Sequence, residues 1–513
     1  MDQPSSLATA SSNAKWRLTT QNEVAPAPYS YPPYLTLSHC WGPPGTVHTR
    51  LTKATFDRFR LQEQLVVELP KTYQDAIGIA VSLGFRYIWI DSLCIMQDPG
   101  DTTDWEEQSS VMGLIYKHAT CNIAATWAAD GSQGCFSQRD AAIVAPTTIS
   151  LGDEEFHIAH SHIFYYNIGG APLNRRGWVL QERFLARRQL NFAKDAVFWE
   201  CPQLVALEQF PDGIPKAYCW DLMNGAKPRI DFTSLPELRR GWAHLVHVYS
   251  RTKLTVCTDK PVAIAGLVGE LKARLDDDYL AGLWQKDLHK QLCWYTSIIP
   301  TASTNPDMAP TWSWMKYSDT PIFADDRYLK DDEHTTAYFL EILDVTVKDK
   351  PVPHGSVSGT LRIRGIVMWV RLTGFGYSAL EPPTEHDPGP VFTELDNASG
   401  MIFVGWDERS EIKEDLLVVF VAGYCVGSRD PGYFVKGLLL APGTEGDSTF
   451  TRVGMFYYYE GDRFLRLIIN RLGLEPAEML AETEGLRLGY GLGMDGTLRD
   501  PRLDDIIQEV TIV

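Results

Sequence analysis

Polar side chains that could do chemistry follow two short apolar segments, each predicted to be a strand. Ser38 and His39 lie at the end of the first segment, which covers residues 34–38, and Asp91 follows the second, which covers residues 85–90. Ligands of parallel α/β sheets bind beyond the carboxyl ends of the strands, so these three side chains are expected at one edge of a sheet. For Asp91 a second interpretation stays open, because an Asp in this place can also cap the next turn.

A further candidate, Glu182, lies on a predicted helix over 173–185, on the same face as Trp178 and Leu185. A carboxylate among apolar neighbours is costly unless it is paired. Glu182 is therefore either a functional group or the structural ion-pair partner of a nearby arginine, and both interpretations stay open. The arginines within reach are Arg175, Arg176 and Arg183. Trp178 is either a core residue or the wall of a ligand pocket.

Cysteine chemistry and metal binding are not favoured by the sequence. His39 and Cys40 are adjacent, but neighbouring strand residues point to opposite faces, so a nucleophilic pair is not expected. Cys94 is expected to be a small buried residue. The nine cysteines are scattered without a CxxC pair, which predicts neither a zinc site nor a disulfide framework. Motifs of P-loop NTPases, α/β-hydrolases and HExxH metalloproteases are absent from the sequence.

An alternating order of strands and helices positions the candidate residues. Strands are predicted over 34–38, 85–90 and 121–126. A first helix is predicted to begin at Pro70 and to end before Gly84, and a second to begin with a capping box of Asp104 and Glu107. A third helix is predicted over 173–185. Residues 127–172 form an insertion with short strands. The order β-α-β-α-β-α predicts an α/β fold with a parallel sheet and helices on both faces.

Four regions are expected along the chain. Residues 1–33 are predicted to be a flexible arm, 34–200 the α/β domain, 201–335 a mainly helical region, and 336–513 a β-rich region. A hairpin is predicted over 188–200. In the last region the strand patterns over 360–367, 416–425 and 450–458 are the clearest.

Charge and hydropathy exclude several classes of partner. The net charge is −18, so long-range attraction to nucleic acid is not expected. No apolar run reaches the roughly 18 residues of a membrane span. The first residues lack the pattern of a signal peptide, which favours a cytoplasmic location.

Three segments, taken together, resemble the heterokaryon-incompatibility (HET) domain family of filamentous fungi. Residues 37–42 (LSHCWG) are similar to the family's L-S-Y-x-W-G opening, with His39 in place of the usual tyrosine. Residues 87–98 (YIWIDSLCIMQD) resemble its central motif, and residues 173–183 (LNRRGWVLQER) its closing motif. The resemblance implies programmed cell death, non-self recognition and innate immunity, with self-association of the HET domain and a protein trigger or partner of unknown identity.

A more distant resemblance is to the TIR domain, whose strand and helix order is similar. In that family a helix after the third strand carries W-x-x-x-E, and Trp178 and Glu182 have this spacing and place. The resemblance implies a TIR-like parallel sheet and cleavage of NAD at the nicotinamide–ribose bond, with NAD as substrate and no cofactor. Glu182 would be the catalytic residue, and Ser38, His39, Asp91 and Trp178 would line the substrate site. The alternative is a non-enzymatic adaptor whose HET domain self-associates and recruits partners.

Overall fold

The fold was analysed in a computed structural model of the 513-residue chain. The structure describes residues 13–24, 32–43, 45–46, 49–139, 147–152, 154–158, 162–215, 234–296, 308–317, 319–323, 336–338, 340–349, 356–373, 379–381, 402–407, 416–427, 433–443, 449–459 and 507–513. Most of the predicted N-terminal arm therefore lies outside the described residues, although residues 15–16 of that arm form a strand. No helix in the described ranges is long and apolar enough to cross a membrane.

The chain divides into two compact units. Unit 1 contains the described residues up to 232 together with Thr252–Leu271, and unit 2 contains residues 233–251 and the chain from Lys272 onward. The segment Thr252–Leu271 therefore joins a fold that is otherwise built from the first part of the chain.

Unit 1 is built around a six-stranded mixed sheet in the order β10-β9-β8-β5-β2-β4. Strands of this unit within the described residues are β1 (Lys15–Trp16), β2 (Tyr34–Ser38), β3 (Gln64–Leu65), β4 (Tyr87–Ile90), β5 (Cys121–Ala124), β6 (Thr147–Leu151), β7 (Glu154–Ile158), β8 (Gln189–Phe192), β9 (Val197–Glu200) and β10 (Val205–Leu207). Strand β2 pairs in parallel with β4 and β5, and β5 pairs in parallel with β8. The α/β interpretation is confirmed, and the hairpin predicted over 188–200 is β8–β9.

Helices flank this sheet. They are α1 (Gln21–Val24), α2 (Lys53–Leu61), α3 (Lys71–Ser82), α4 (Asp91–Cys94), α5 (Thr103–His118), α6 (Val179–Leu185) and α8 (Lys260–Leu275). The part of α8 up to Leu271 belongs to unit 1, and α7 (Leu235–Ser250) belongs to unit 2. Helix α3 begins after Pro70 as predicted, because the fixed φ of proline suits a helix start. Gly84 follows its end with a φ of +80°, a conformation that glycine adopts without strain.

The predicted start of α5 is wrong in detail. The capping box at Asp104 and Glu107 does not form, since α5 begins at Thr103, two residues before the start that Asp104 as N-cap requires. The Asp104 carboxylate instead accepts a hydrogen bond from the Met96 backbone N–H at 2.7 Å. Asp104 therefore holds the loop before α5 in place rather than capping the helix itself.

The helix predicted over 173–185 is divided into two pieces. A single 3₁₀ turn covers Leu173–Arg175, and α6 begins only at Val179. Between them Arg176 is extended and forms an isolated parallel β-bridge with Lys253. The backbone carbonyl of Lys253 accepts from the Gly177 N–H at 2.8 Å, and the backbone N–H of Lys253 donates to the Arg175 carbonyl at 2.6 Å. Pairing with this distant segment replaces the intrahelical hydrogen bonds, and local periodicity does not reveal it.

Helix α8 packs closely against α5 and α6 through glycine. A Cβ atom at Gly266 would lie 2.9 Å from Gln181 Oε1, 3.0 Å from Leu185 Cδ1 and 3.2 Å from the Cα of Gly113. Each contact is shorter than side chains normally allow. The backbones of α5 and α8 can meet here only because both positions are glycine.

We expect Gly266→Ala to destabilise the protein by about 1–3 kcal/mol, because overpacking forces neighbours to move. The control is Gly269→Ala on the same helix, where a Cβ would have nothing within 4 Å. That change should stabilise by about 0.5–1 kcal/mol, since alanine is the better helix former. Urea unfolding of both variants measures the difference, and equal stabilities would contradict the close contact.

Unit 2 combines helices with a large, mainly antiparallel sheet. Helix α7 (Leu235–Ser250) begins with a capping box between Ser234 and Glu237, and α9 (Leu288–Gln291) is short. The remaining strands are β11 (Tyr279–Leu280), β12 (Leu283–Trp284), β13 (Tyr295–Thr296), β14 (Ile322–Phe323), β15 (Thr336–Tyr338), β16 (Leu340–Asp349), β17 (Val357–Thr373), β18 (Ala379–Glu381), β19 (Ile402–Trp406), β20 (Leu416–Gly427), β21 (Tyr433–Pro442), β22 (Thr449–Tyr459) and β23 (Ile507–Ile512). The strands predicted over 360–367, 416–425 and 450–458 are confirmed as parts of β17, β20 and β22.

Candidate active site

The carboxyl ends of the parallel strands β2 and β4 bring the predicted residues together. Leu37 of β2 pairs with Ile90 of β4, so Ser38 and Asp91 are the next residues at the same edge of the sheet. Glu182 on α6 lies near this edge, because the pKa of its carboxyl group is raised by the charge of Asp91 and lowered by Ser38. Three residues that are far apart in the sequence thus form one cluster.

Glu182 is held in a buried, polar environment. Only 3% of the residue is exposed. The pKa of its carboxyl group is raised from 4.5 to about 7, mainly by burial and also by the charge of Asp91. The charge of Arg176 and hydrogen bonds from Ser38 and Tyr116 act in the opposite direction. Of the three arginines considered as partners, Arg176 is the one that stabilises the charged form of this carboxylate.

The raised pKa of Glu182 makes a prediction about stability and pH. Between pH 4.5 and about 7 the folded state binds more protons at this group than the unfolded state, so stability falls as pH rises. The loss from this group is about 3 kcal/mol in total. We expect Glu182→Gln to remove this part of the pH dependence, so the stability of the variant relative to wild type should increase across that range. Urea unfolding at several pH values tests this, and a constant difference between the two proteins would contradict it.

Asp91 is engaged by its own helix and by an aromatic residue. It is the first residue of α4, and its Oδ1 accepts from the Ser92 backbone N–H at 2.7 Å. Its Oδ2 accepts from Trp41 Nε1 at 3.0 Å. Asp91 thus bonds locally to its own turn but is not the cap of α4, since the N-cap is Ile90 and has no side-chain cap. The charge of the Asp91 carboxylate also raises the pKa of Glu182.

His39 contacts Asp91 from inside the fold. Its Nε2 lies 2.9 Å from the Tyr73 hydroxyl, which in turn lies 2.7 Å from Ser92 Oγ. Its Nδ1 is 3.7 Å from Asp91 Oδ1, and the His39 carbonyl accepts a hydrogen bond from Arg176. Since His39 is buried, its contacts position Asp91 and Arg176 around Glu182.

The thiols near the cluster do not have the properties of nucleophiles. Burial raises the pKa of Cys40 to about 11 and that of Cys94 to about 12. Both thiols therefore stay protonated at neutral pH, whereas a nucleophilic cysteine needs the thiolate. Cys40 packs as a small buried side chain, whereas Cys94 is half-buried rather than the buried residue expected from the sequence.

Trp178, predicted to line the substrate site, contacts a different part of unit 1. Its ring packs edge-on against Trp105 with ring centres 5.9 Å apart. Its Nε1 donates to Asp259 Oδ2 at 3.2 Å, which ties the start of α6 to the segment Thr252–Leu271. These contacts support a packing role for Trp178.

A buried row of polar side chains crosses the sheet beside the cluster, and the sequence analysis missed it. The row consists of Thr36, Ser38, Asn122, Gln189, Asn191 and Glu200. Polar residues at alternate positions, as in Gln189 and Asn191, were the available signal, because alternate strand residues share one face. The row ends at Arg183 of α6, whose Nη2 and Nε lie 2.7 and 3.0 Å from the Glu200 carboxylate oxygens.

The site contains no metal-binding arrangement that the structure reveals. Within the described residues, no group of three or more His, Cys, Asp or Glu side chains is placed to hold a metal ion. The groups around Glu182 are the hydroxyls of Ser38 and Tyr116, the carboxylate of Asp91 and the guanidinium group of Arg176.

Comparison with known families then gives the cluster a context. Residues 34–182 match the family model described as Heterokaryon incompatibility protein (HET). This HET segment begins at β2 and ends at Glu182, so it contains Ser38, Asp91 and Glu182. The match suggests a role in heterokaryon incompatibility. No curated protein and no solved structure matches the chain.

The HET segment does not include all of unit 1. Strands β8 to β10 and the segment Thr252–Leu271 follow it in the sequence, yet they belong to the same compact unit. Glu200 on β9 and Lys253 make direct contacts with residues close to Glu182 in the sequence, namely Arg183 and Arg175. The surroundings of the cluster thus depend on residues beyond the match.

Proposed function

We propose that the HET segment cleaves NAD at the nicotinamide–ribose bond and thereby promotes programmed cell death during non-self recognition in the cytoplasm. The observation that carries the proposal is the convergence of Glu182, Ser38 and Asp91 at the carboxyl ends of parallel strands. Ligands bind at this edge in open α/β sheets. The TIR-like spacing of Trp178, which directly precedes α6, and Glu182 on that helix supports the same assignment.

The proposed reaction uses the negative charge of Glu182. The bond between ribose C1′ and the nicotinamide nitrogen breaks, and its electron pair leaves with nicotinamide. Water then adds to C1′ and loses a proton, which gives ADP-ribose. The transition state resembles the cationic sugar of glycoside hydrolysis, and a nearby carboxylate stabilises it. A carboxyl group with a pKa of about 7 is ionised in about half of the molecules at neutral pH.

Access to Glu182 requires a conformational change. With 3% of the residue exposed, NAD reaches the carboxylate only when the surrounding side chains move. We propose that self-association of the HET segment, induced by a protein partner, opens the site. This coupling would keep the single chain inactive.

The second candidate is an adaptor without enzymatic activity. The near-complete burial of Glu182 and its interaction with Arg176 favour it, because a structural carboxylate has the same surroundings. In this case the HET segment self-associates and recruits partners, and Glu182 serves the fold alone.

The test is the release of nicotinamide from NAD by the purified full chain. Two preparations are compared: the chain alone, and the chain fused to a domain that forces it to oligomerise. The proposal predicts release that increases strongly in the oligomeric preparation. Absence of release from both preparations would favour the adaptor.

A further inference from the structure

A segment from later in the chain holds the helix that carries Glu182. All seven residues of α6 are buried, although this helix is short. Part of its cover comes from Thr252–Leu271, which belongs to unit 1 while the residues before and after it in the sequence belong to unit 2. This segment, called the clamp below, contacts α6 both at its start and along its length.

At the start of α6 the clamp makes backbone and side-chain contacts. Lys253 pairs with the extended backbone before α6 through hydrogen bonds of 2.6 and 2.8 Å. A Cβ atom at Gly177 would lie 2.5 Å from Leu254 Cδ2, so the absence of a side chain at this position allows the close approach. The Trp178 indole then donates to the Asp259 carboxylate at 3.2 Å. The beginning of α6 is therefore fixed to the clamp at three successive points.

Along its length α6 packs against Gly266 of the clamp. A Cβ atom at Gly266 would lie 2.9 Å from Gln181 Oε1 and 3.0 Å from Leu185 Cδ1. Gln181 and Leu185 are one helical turn apart, so they share one face of α6, and the clamp covers that face. Glu182 is the next residue after Gln181 and is only 3% exposed. The clamp thus holds α6 in the position that keeps Glu182 buried.

The amide of Gln181 weakens this interface. Gln181 is 1% exposed, and its Nε2 has no hydrogen-bond partner in the part of the chain that the structure describes. A buried donor without an acceptor has lost its water and gained nothing in return, which destabilises the docked arrangement. Water can reach this amide when the clamp moves away. The interface therefore combines close packing with a group that favours opening.

The clamp continues into unit 2 at both of its ends. Helix α7 of unit 2 precedes it, and α8 extends beyond Leu271, so the last turn of α8 over 272–275 belongs to unit 2. A partner that displaces unit 2 therefore acts on the clamp through the backbone of one continuous helix.

We propose that the clamp is an autoinhibitory element whose docking keeps α6 in place and Glu182 buried, and whose release is the conformational change that exposes Glu182. The inference deepens the proposed function, on which the consequence for NAD rests. The joint release of the clamp and α6 does not depend on any reaction.

Hydrogen exchange of the full chain, followed by mass spectrometry, measures this release. Amides of α6 and of the clamp should exchange together and faster than those of strands β2 and β5, because release exposes only the former. Gly266→Ala forces the clamp away from Gln181 and Leu185, so it should accelerate exchange in both segments by about 10-fold. Gln181→Met removes the unpaired amide at similar volume and should slow exchange in both segments by about 10-fold.

The matched control is Gly269→Ala on the same helix, where an added Cβ has nothing within 4 Å and should not accelerate exchange. The proposal would be overturned by protection of α6 equal to that of β2 and β5, by acceleration in the clamp that does not extend to α6, or by equal acceleration in Gly269→Ala and Gly266→Ala.

Nicotinamide release by the single chain separates this inference from the proposed function. Gly266→Ala should release nicotinamide about 10-fold faster than wild type, in proportion to the more frequent opening. Release that occurs at the same rate in both proteins would show that the clamp does not control access to Glu182. If neither protein releases nicotinamide, even when oligomerised, while the exchange results are as expected, the proposed function fails and the clamp is supported.

Discussion

Glu182→Gln is expected to reduce nicotinamide release by about 100-fold or more, because it removes the charge that stabilises the cationic sugar in the transition state. Glutamine keeps the volume of the side chain and can still accept hydrogen bonds. The loss should therefore appear in kcat at saturating NAD. Release by the oligomerised protein is the measurement.

The matched control for this change is Glu270→Gln. Glu270 also lies in unit 1, but it forms a partly exposed ion pair with Lys117 at 2.5 Å. Its replacement should leave release unchanged and alter stability by no more than about 1 kcal/mol. Turnover that survives in Glu182→Gln would refute the catalytic assignment, and a comparable loss in Glu270→Gln would show that the assay reports general damage.

The largest effect on stability is expected from Glu200→Gln. Glu200 and Arg183 are nearly inaccessible to solvent, and their two hydrogen bonds of 2.7 and 3.0 Å form a bidentate pair. Removal of one charge leaves the other buried without its counter-ion, so we expect a loss of about 3–5 kcal/mol. The free energy of unfolding, measured in urea, tests this.

A second variant separates the ion pair from the volume of its side chains. In Glu200→Gln combined with Arg183→Met no unpaired charge remains, and much of the lost stability should return, since apolar replacement of a buried pair is often close to neutral. If the double variant is no more stable than Glu200→Gln alone, the damage comes from packing and from the buried row of polar side chains rather than from an unpaired charge.

Local patterns were sufficient to predict the elements that carry the candidate site. The apolar segments before Ser38 and Asp91 are strands β2 and β4, and the side chains that end them lie at one edge of the sheet. Pro70 and Gly84 marked the two ends of α3. These features depend on residues a few positions apart, and periodicity and proline or glycine reveal such features directly.

Contacts between distant segments could not be predicted in this way. The division of the helix over 173–185 results from the pairing of Arg176 with Lys253. Arg183 and Glu200 form an ion pair because α6 packs on β9, whereas the sequence offered Arg183 as a partner of Glu182. The pKa of Glu182 likewise depends on burial and on neighbours from β2, α4 and α5, which only the folded chain brings together.

The most direct test of the central claim is the rate of nicotinamide release by the oligomerised wild-type protein, measured from below to above pH 7. The account predicts a rate that rises with pH as Glu182 ionises and that is lost in Glu182→Gln. Because opening of the site reduces the burial that raises the pKa of Glu182, the midpoint should lie between the ordinary 4.5 and about 7. Release that is absent at every pH, or equal in wild type and Glu182→Gln, would contradict it.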